Sequence, residues 1–374
     1  MELADLFGNV LAFGADWWRY MAMWLIGGTL IYLAIVKDME PTLLLPMGFG
    51  AILVNIPNVD LISEHGALTT LFNAGIANEL FPLLLFIGIG AMIDFGPLLS
   101  NPKLMLFGAA AQFGIFFTLC MASMFFDLKD AASIAVIGAA DGPTSILVSQ
   151  VLGSNYIGAI AVAAYSYMAL VPVVQPFAIK MVTTKKERAM RMPYSSGMVS
   201  RRTRILFPII VTVIAGLVAP SSVALVGFLM FGNLIRECGV LESLSKAAQN
   251  ELANLITLLL GITIAASMRA EDFVKLDTLL IMGLGLVAFV MDSVVGVLFV
   301  KVLNIFTPKN KINPMVGAAG ISAFPMSSRV IEKMGQEADS QNHLLMHAAA
   351  ANVSGQIASV VAGGVVLQYF ANLG

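Results

Sequence analysis

Charge is what this sequence has least of. Only 12% of its 374 residues are charged, 21 of them Lys or Arg and 23 Asp or Glu, whereas an average soluble domain carries about 25%. Hydrophobic residues make up 58% of the chain, so too few charged side chains are present to cover a water-soluble protein of this size. The composition argues against a soluble enzyme, a disordered protein and a nucleic-acid-binding protein, and it predicts that most of the surface meets lipid.

Several motifs that carry chemistry are also missing. The sequence contains no phosphate-binding GK[ST] loop, no HExxH motif and no CxxC motif, and its two cysteines, Cys120 and Cys238, lie in or beside apolar stretches. We therefore expect no nucleotide hydrolysis, no redox centre and no disulfide framework. Energy for any transport must then come from another gradient or from another polypeptide.

Long apolar runs dominate what is present. A transmembrane helix needs about 20 mainly apolar residues. The clear candidates are residues 19–36, 41–57, 80–98, 103–126, 156–180, 205–235 (as two spans), 252–268, 279–305 and 346–370. Two further apolar segments, 131–152 and 313–330, are interrupted by Gly, Pro and small polar residues. The sequence predicts an all-α polytopic membrane protein with about ten or eleven membrane segments.

A basic loop divides the chain into two halves. Residues 180–206 contain eight Lys and Arg residues against a single acid, and the positive-inside rule therefore predicts that this loop is cytoplasmic. The membrane that we expect for the protein is the inner (cytoplasmic) cell membrane. We assign residues 1–180 to an N-terminal membrane half, with a first repeat over about 40–180. Residues 181–206 form the loop, and residues 207–374 form a C-terminal half with the second repeat.

Two short motifs recur in the same order in both halves. Asn78-Glu79-Leu80 is echoed 172 residues later by Asn250-Glu251-Leu252, and the run that begins at Gly138 is echoed 179 residues later by the run that begins at Gly317. The nearly equal offsets indicate an internal duplication. Duplicated halves with Gly/Pro-broken segments at matching positions are typical of ion-coupled transporters, whose binding site lies near the membrane midplane. Whether the repeats are inverted stays open, because it depends on the number of crossings between them.

One acid lies in the middle of a broken segment. Acidic residues within a membrane span cost about 2.5–3.5 kcal/mol on insertion scales and are functional by default. Asp141 is the only charge in 131–152, and the following Gly142-Pro143 favours an unwound turn. Its carboxylate, the freed carbonyls and the hydroxyls of Thr144 and Ser145 would form an oxygen-rich site for a hard cation. The alternative is a kinked helix in which Asp141 pairs with a buried partner.

Other segments contribute fewer candidates. The second broken segment, 313–330, lacks an acid but carries serines and Arg329, and Asp292 is another acid deep in a span. In the last apolar segment, Asn352 and Ser359 fall on one helix face and can point at one site. We interpret Asn352 as a cation ligand, while close helix packing is the alternative role for the small residues around it.

Four stretches of the chain together resemble a known family. They are IGAADGPTSI (137–146), AAYSYMALVP (163–172), NPMVGAAGISAFPMSSRV (313–330) and LLMHAAAANVSGQIASVVAGG (344–364). They are similar to the membrane-embedded beta subunits of the Na+-pumping biotin-dependent decarboxylases, which serve oxaloacetate, methylmalonyl-CoA, glutaconyl-CoA and malonate. The resemblance covers nearly the whole chain. It departs at Ala139, where the family has Gly, and at the alanines before Asn352, where Gly-Pro is more frequent, but neither change removes an oxygen ligand.

The resemblance implies both a reaction and a site. Such subunits decarboxylate carboxybiotin presented by a partner's carrier domain, and the release of CO2 drives Na+ outward through protomers that resemble elevator-type transporters. The functional acid of the family corresponds to Asp141, its tyrosine to Tyr167, and its late polar residues to Asn352, Gly355 and Ser359. This chain has no Ala-Met-Lys-Met biotinylation motif, in agreement with biotin that is carried by a partner.

Residues and resemblance together define one predicted site. Its catalytic residues are Asp141, Tyr167 and Arg329, and Arg329 is the candidate for holding carboxybiotin. Its carboxybiotin-binding residues are Asp141, Tyr167 and Asn352. Its Na+ ligands are Asp141, Thr144, Ser145, Asn352, Gly355 and Ser359. The expected partners are biotin carrier and carboxyltransferase subunits, a small membrane subunit of the gamma or delta type, and further copies of this chain. A plain secondary transporter, for Na+-coupled carboxylate transport or Na+/H+ exchange, is the alternative function.

Overall fold

The described part of the chain is built from helices. The computed structural model of the protein describes residues 17–38, 40–193, 199–218, 220–308 and 311–370, and no strand occurs among them. Its α-helices are α1 Trp17–Val36, α2 Pro41–Val54, α3 Ala67–Leu71, α4 Leu80–Met92, α5 Gly96–Ser100, α6 Met105–Ala111, α7 Phe113–Ala122, α8 Leu128–Ala135, α9 Gly142–Val151, α10 Ile157–Val182, α11 Lys185–Arg188, α12 Arg201–Val218, α13 Val223–Glu237, α14 Glu242–Ala247, α15 Ala253–Ile264, α16 Ala270–Phe273, α17 Leu276–Phe306, α18 Met315–Ala318, α19 Met326–Ala338 and α20 Leu345–Phe370. The predicted all-α fold is confirmed.

Several of these helices are long and apolar enough to cross a membrane. Five stretches meet that description: Trp17–Val36, Pro102–Ala122, Glu242–Ser267, Leu276–Phe306 and Leu345–Phe370. The number is seven if each of two bent helix pairs forms one span: Ala67–Ile76 with Leu80–Met92, and Ile157–Met168 with Leu170–Val182. The chain is therefore a multi-pass membrane protein. Its long spans are fewer than the ten or eleven membrane segments predicted, because some of those segments are short, such as the 14-residue α2, and others turn back.

The first broken segment turns back on itself. Helices α8 and α9 form hairpin 1 (128–151). The carboxylate of Asp130, near its start, accepts a hydrogen bond of 2.6 Å from the hydroxyl of Ser154, just past its end. Because its two ends meet, hairpin 1 enters the protein and returns to the same face. The predicted membrane segment 131–152 is thus a re-entrant hairpin and not a crossing.

The second broken segment has the same form. Helices α18 and α19 form hairpin 2 (315–338). Asn313, before its start, and Asn342, after its end, both donate side-chain hydrogen bonds to the carbonyl of Arg188, at 3.1 and 2.9 Å. Hairpin 2 therefore also enters and leaves at one face, and it extends beyond the predicted end of the segment at residue 330.

The two hairpins enter from opposite faces. Near the start of α17, Asp277 accepts a 3.1 Å hydrogen bond from Tyr156, which lies beside the ends of hairpin 1. Near the end of α17, Lys301 pairs at 2.8 Å with Glu187, which neighbours the Arg188 carbonyl at the ends of hairpin 2. At about 1.5 Å per helical residue, Asp277 and Lys301 are about 36 Å apart. We call the face that contains Glu187 the basic-loop face.

The tips of the hairpins meet inside the protein. Ser322, in the turn of hairpin 2, donates to the carbonyl of Ala139 in hairpin 1 from its N–H at 3.2 Å and from its hydroxyl at 2.6 Å. One apolar cluster surrounds the hairpins and α20, and a second joins α1, α2 and α15. Both clusters contain residues from both predicted halves, so the halves share their cores.

The predicted basic loop is partly helical in its described residues. Helix α10 ends at Val182 and α12 already begins at Arg201, while residues 194–198 of the predicted loop lie outside the described residues. Arg191 pairs with Asp339 at 2.5 Å, which connects the loop to the end of hairpin 2. The cytoplasmic location of this face stays a prediction from its charge.

Candidate functional site

Asp141 lies at the tip of hairpin 1, between its two helices. A short 3-10 turn ends at Ala140, which adopts the left-handed conformation with φ 53°, and α9 begins at Gly142 with Pro143 in its first turn. Proline fits this position because the first N–H groups of a helix have no intrahelical partner. Asp141 is the N-cap of α9 and is only 3% exposed. The structure therefore contains the unwound turn that the sequence predicts.

Among the described residues, every group that donates a hydrogen bond to the Asp141 carboxylate is uncharged. Oδ2 accepts from Thr144 Oγ1 at 2.8 Å, from Ser359 Oγ at 2.7 Å and from Gln356 Nε2 at 3.1 Å. Oδ1 accepts only a long bond of 3.4 Å from the Thr144 N–H. Neutral donors stabilise a buried carboxylate without cancelling its charge. This arrangement differs from an ion pair with a buried base and leaves the negative charge available to a cation.

Helix α20 presents one face to both hairpins. Ser359 and Gln356 donate to Asp141, whereas Asn352 donates from Nδ2 to the Ile321 carbonyl in hairpin 2 at 2.5 Å. Asn352 Oδ1 is buried and has no hydrogen-bond partner among the described residues. The structure brings Ser359 directly to Asp141 and places Asn352 at the tip of the other hairpin.

Two more predicted ligands act through the backbone. The Ser145 hydroxyl donates to the main-chain carbonyl of Asp141 at 2.8 Å and not to its carboxylate. Gly355 packs against the backbone of Gly320, where a Cβ atom would collide with the Gly320 carbonyl. Ser145 therefore shapes the turn in hairpin 1, and Gly355 lets α20 approach hairpin 2.

Gln356 is a site residue that the sequence analysis does not include among the predicted ligands. It lies four residues after Asn352 and three before Ser359, so helical spacing places all three on one face. That spacing was the available signal. What the sequence could not reveal is that this face meets Asp141, 215 residues earlier in the chain.

A cavity of about 180 Å³ reaches the Asp141 side chain. Its polar lining residues are Glu40, Thr42, Asp141, Tyr165, Asn254, Thr257, Ser322 and Gln356. At about 30 Å³ per water molecule, the cavity has room for a cation with part of its hydration shell. Carboxylate, hydroxyl and amide oxygens are ligands that suit hard cations.

The structure brings Tyr165, and not Tyr167, to this cavity. The ring of Tyr165 packs against Gly142 beside Asp141, and its hydroxyl is buried with no hydrogen-bond partner in the described ranges. Tyr167, which the resemblance puts in the catalytic and carboxybiotin-binding roles, donates its hydroxyl to the Met282 carbonyl of α17. Residues two apart in a helix face different directions, so α10 cannot direct both tyrosines to one site.

Arg329 lies outside the immediate surroundings of Asp141. It is exposed in the first turns of α19 and interacts electrostatically with Glu40, which lines the cavity. The structure therefore places Arg329 near the Glu40 end of the cavity, where it could attract an anion that approaches from outside.

Asp292, the other deeply buried acid, contacts a different part of the structure, the start of α7. It is fully buried in α17, and its Oδ1 accepts a hydrogen bond from the N–H of Gly114 in the first turn of α7. A carboxylate at a helix N-terminus stabilises the unpaired N–H groups there. Asp292 is not among the residues that line the cavity.

Glu332 of α19 fixes the start of α20 at the basic-loop face. Its carboxylate accepts from the N–H groups of Leu344 at 2.6 Å and Leu345 at 2.7 Å and contacts His343 Nδ1 at 2.9 Å. Burial raises the pKa of Glu332, but the hydrogen bonds from His343 and the two backbone amides outweigh it and hold the pKa below its ordinary value. The ionised side chain therefore caps α20 and links it to hairpin 2.

Comparisons with known proteins agree over nearly the whole chain. The family described as Na+-transporting oxaloacetate decarboxylase beta subunit matches residues 19–370. The chain is 47% identical over 373 residues to methylmalonyl-CoA decarboxylase subunit beta of Propionigenium modestum, covering 93% of this chain and 94% of that one. It is 46% identical over 356 residues to glutaconyl-CoA decarboxylase subunit beta of Acidaminococcus fermentans (95% and 94%). It is 42% identical over 409 aligned positions to the oxaloacetate decarboxylase beta chain of Klebsiella pneumoniae (93% and 94%).

Proposed function

Because the chain belongs to the family of Na+-transporting oxaloacetate decarboxylase beta subunits, we propose that it decarboxylates carboxybiotin and couples the release of CO2 to outward Na+ transport. The carboxybiotin would be presented by the carrier domain of a partner subunit. The relatives are named as decarboxylase subunits, which favours this function over a secondary transporter that performs no chemistry.

One observation supports the site above all others. Asp141 is a buried carboxylate held by neutral donors at the point where two hairpins from opposite faces meet. In this proposal Asp141, Thr144 and Ser359 bind Na+ directly, and the free Oδ1 of Asn352 contributes from α20, beside the tip of hairpin 2. Ser145 and Gly355 hold the two turns in the positions that these ligands require.

The chemistry couples a proton to the cation. Decarboxylation breaks the bond between the carboxyl carbon and a ring nitrogen of biotin, CO2 leaves, and the nitrogen takes up a proton. A carboxyl group at Asp141 can hold a proton when Na+ is absent and release it when Na+ binds, which links the two events at one site. Arg329 would attract the carboxylate of carboxybiotin at the Glu40 end of the cavity. The catalytic role that the resemblance gives to Tyr167 would then be indirect, through α17, while Tyr165 faces the cavity.

The opposite entry of the hairpins supports an elevator-like mechanism with inverted repeats. In an inverted duplication, corresponding broken segments enter the membrane from opposite sides and meet near its midplane. A site at the contact between the hairpin tips could be opened to either face by movement of the hairpins and α20 against the remaining helices. We place this subunit in the inner (cytoplasmic) membrane, with the basic loop in the cytoplasm. Its proposed partners are the carrier and carboxyltransferase subunits, a small gamma- or delta-type subunit and further copies of itself.

The exchange Asp141→Asn tests the site in the assembled complex. The amide keeps the size of the side chain but loses the charge, so we expect complex assembly to be retained and Na+-dependent decarboxylation to be lost. The matched control is Asp292→Asn, in which the amide oxygen can still accept from Gly114, and we expect it to retain Na+-dependent turnover. Undiminished turnover in Asp141→Asn would disprove the assignment of the site.

A further inference from the structure

The cavity at Asp141 has a second carboxylate at its other end. Glu40, the residue before α2, lines the cavity together with Thr42 of α2 and with Asn254 and Thr257 of α15. The hairpins and α20 form the inner end, which contains Asp141, whereas α2 and α15 form the outer end. The cavity therefore connects an oxygen-rich group on the hairpins and α20 with a second oxygen-rich group on α2 and α15.

Glu40 lies toward the basic-loop face. At the far end of α2, Asn55 donates to the carbonyl of Met268 at 2.8 Å and accepts from the N–H of Ala270 at 2.7 Å. Ala270 lies shortly before the start of α17, where Asp277 marks the opposite face. The beginning of α2, and Glu40 with it, therefore points to the basic-loop face.

An unpartnered hydroxyl shares the cavity with the two carboxylates. The Tyr165 residue is 1% exposed, its hydroxyl has no hydrogen-bond partner among the described residues, and the side chain lines the cavity. It interacts electrostatically with both Asp141 and Glu40. A buried polar group without a partner is costly and rare in native structures, and it indicates a missing water, ion or ligand.

The Glu40 carboxylate is also available to a ligand. It makes no capping hydrogen bond to α2, and no ion pair to it is formed within the part of the chain that the structure describes. Thr42, Asn254 and Thr257 line the same end, and hydroxyl and amide oxygens are ligands that suit a hard cation.

We propose that Glu40 is the centre of a second site for a monovalent cation, at the basic-loop end of the cavity. A cation taken up there passes to Asp141 beside the Tyr165 hydroxyl. This inference rests on the proposed function, because it names the point from which the Na+ bound at Asp141 is supplied.

Arg329 gives the outer site a predictable electrostatic response. Its guanidinium acts on Glu40, and its positive charge opposes a cation there. Neutralising Arg329, by substitution or by an anionic ligand, therefore strengthens cation binding at Glu40. A carboxylated ligand at Arg329 would in this way increase Na+ uptake into the cavity.

The test measures equilibrium binding of radioactive Na+ to the purified full-length chain in detergent. We expect two bound Na+ per wild-type chain, one in Glu40→Gln and one in Asp141→Asn. Glu79→Gln is the matched control: Glu79 precedes α4 in a left-handed conformation (φ 64°, against 39° for Glu40), makes no capping bond and does not line the cavity. It should bind two Na+. Arg329→Gln should bind the outer Na+ severalfold more tightly.

The outcomes separate this inference from the proposed function. Two Na+ in Glu40→Gln would overturn the outer site, whereas an unchanged number in Asp141→Asn would overturn the inner site that the proposed function requires. If Glu40→Gln does not fold, Thr257→Val and Arg329→Gln decide. We expect weaker Na+ binding in the first and tighter binding in the second, and unchanged affinity in both would overturn the outer site.

Discussion

Asp141 is buried and has no positively charged partner among the residues that the structure describes. At 3% exposure it is too deep for water to stabilise its charge, yet each of its three side-chain donors is a hydroxyl or an amide. An unpaired charge in a membrane interior is expensive. Binding of a cation to this carboxylate therefore lowers the free energy of the folded protein. Asp292 is also buried, and its Oδ2 has no partner among the described residues, but its Oδ1 accepts from the start of α7 and the residue does not line the cavity.

Gln356 should set the Na+ affinity of the site. Its amide donates 3.1 Å to Asp141 Oδ2 and favours the ionised carboxylate. A hydrogen bond to a charged group contributes about 1.5–3 kcal/mol, and about 1.4 kcal/mol corresponds to a tenfold change in affinity. We expect Gln356→Ala to raise the Na+ concentration for half-maximal decarboxylation by about tenfold or more in the assembled complex.

A neighbouring serine provides the control for this effect. Ser354, two residues earlier in α20, accepts from the Gly108 N–H at 3.0 Å and donates to the Leu104 carbonyl at 3.0 Å, and so contacts the helix on the other side. Ser354→Ala should lower stability without changing the Na+ concentration for half-maximal rate. Equal Na+ dependence in both variants would remove Gln356 from the site.

At the scale of elements, the site depends on how closely α20 approaches the hairpins. The contact of Gly355 with Gly320 leaves no space for a side chain, because the two backbones touch. Asn352 is held to Ile321 one turn earlier, so the same face of α20 positions the tip of hairpin 2. Ser359, one turn later, contacts hairpin 1.

Gly355→Ala should therefore separate α20 from hairpin 2. Overpacking of this kind costs about 1–3 kcal/mol, and we expect a lower unfolding temperature of the purified chain and loss of Na+-dependent decarboxylation. The control is Gly283→Ala in α17, where an added Cβ has open space within 4 Å. Alanine favours a helix over glycine by about 0.5–1 kcal/mol, so this variant should be at least as stable as the wild type. A stable, active Gly355→Ala protein would contradict the packing argument.

At the scale of the whole molecule, the two faces differ in which hairpin enters from them. Hairpin 2 and the exposed residue Lys186 lie at the basic-loop face. The ends of hairpin 1 lie at the opposite face, together with the segment after Asn55 that includes the exposed residue His65. If the basic loop is cytoplasmic, Lys186 can be reached only from the cytoplasm and His65 only from the other side of the membrane.

Thiol labelling measures this orientation. In a background with Cys120→Ser and Cys238→Ser, we expect a membrane-impermeant reagent to label Lys186→Cys in inverted vesicles but not in intact spheroplasts. His65→Cys should show the reverse pattern. Labelling of both positions from one side would contradict the two-faced architecture, and exchange of the two patterns would contradict the cytoplasmic assignment of the loop.

Composition and local pattern are sufficient to predict the lipid environment, the helical fold and the acid at the centre of the candidate site. These features are local: a span needs an apolar run, an unwound turn needs Gly and Pro, and a lone Asp141 among apolar residues is visible without neighbours. The face formed by Asn352 and Ser359 also follows from helical spacing alone.

Which partners these residues contact depends on long-range packing. Two segments that the sequence predicts as membrane segments are re-entrant hairpins in the structure. The return of the chain to the same face depends on distant contacts, such as that of Asp130 with Ser154. The tertiary structure brings Gln356 and Tyr165 to the cavity and turns Tyr167 to α17, because the direction of a helix face is set by packing across more than a hundred residues. Hydropathy records how apolar a segment is, but it carries no information about which side the segment leaves by or which partner it faces.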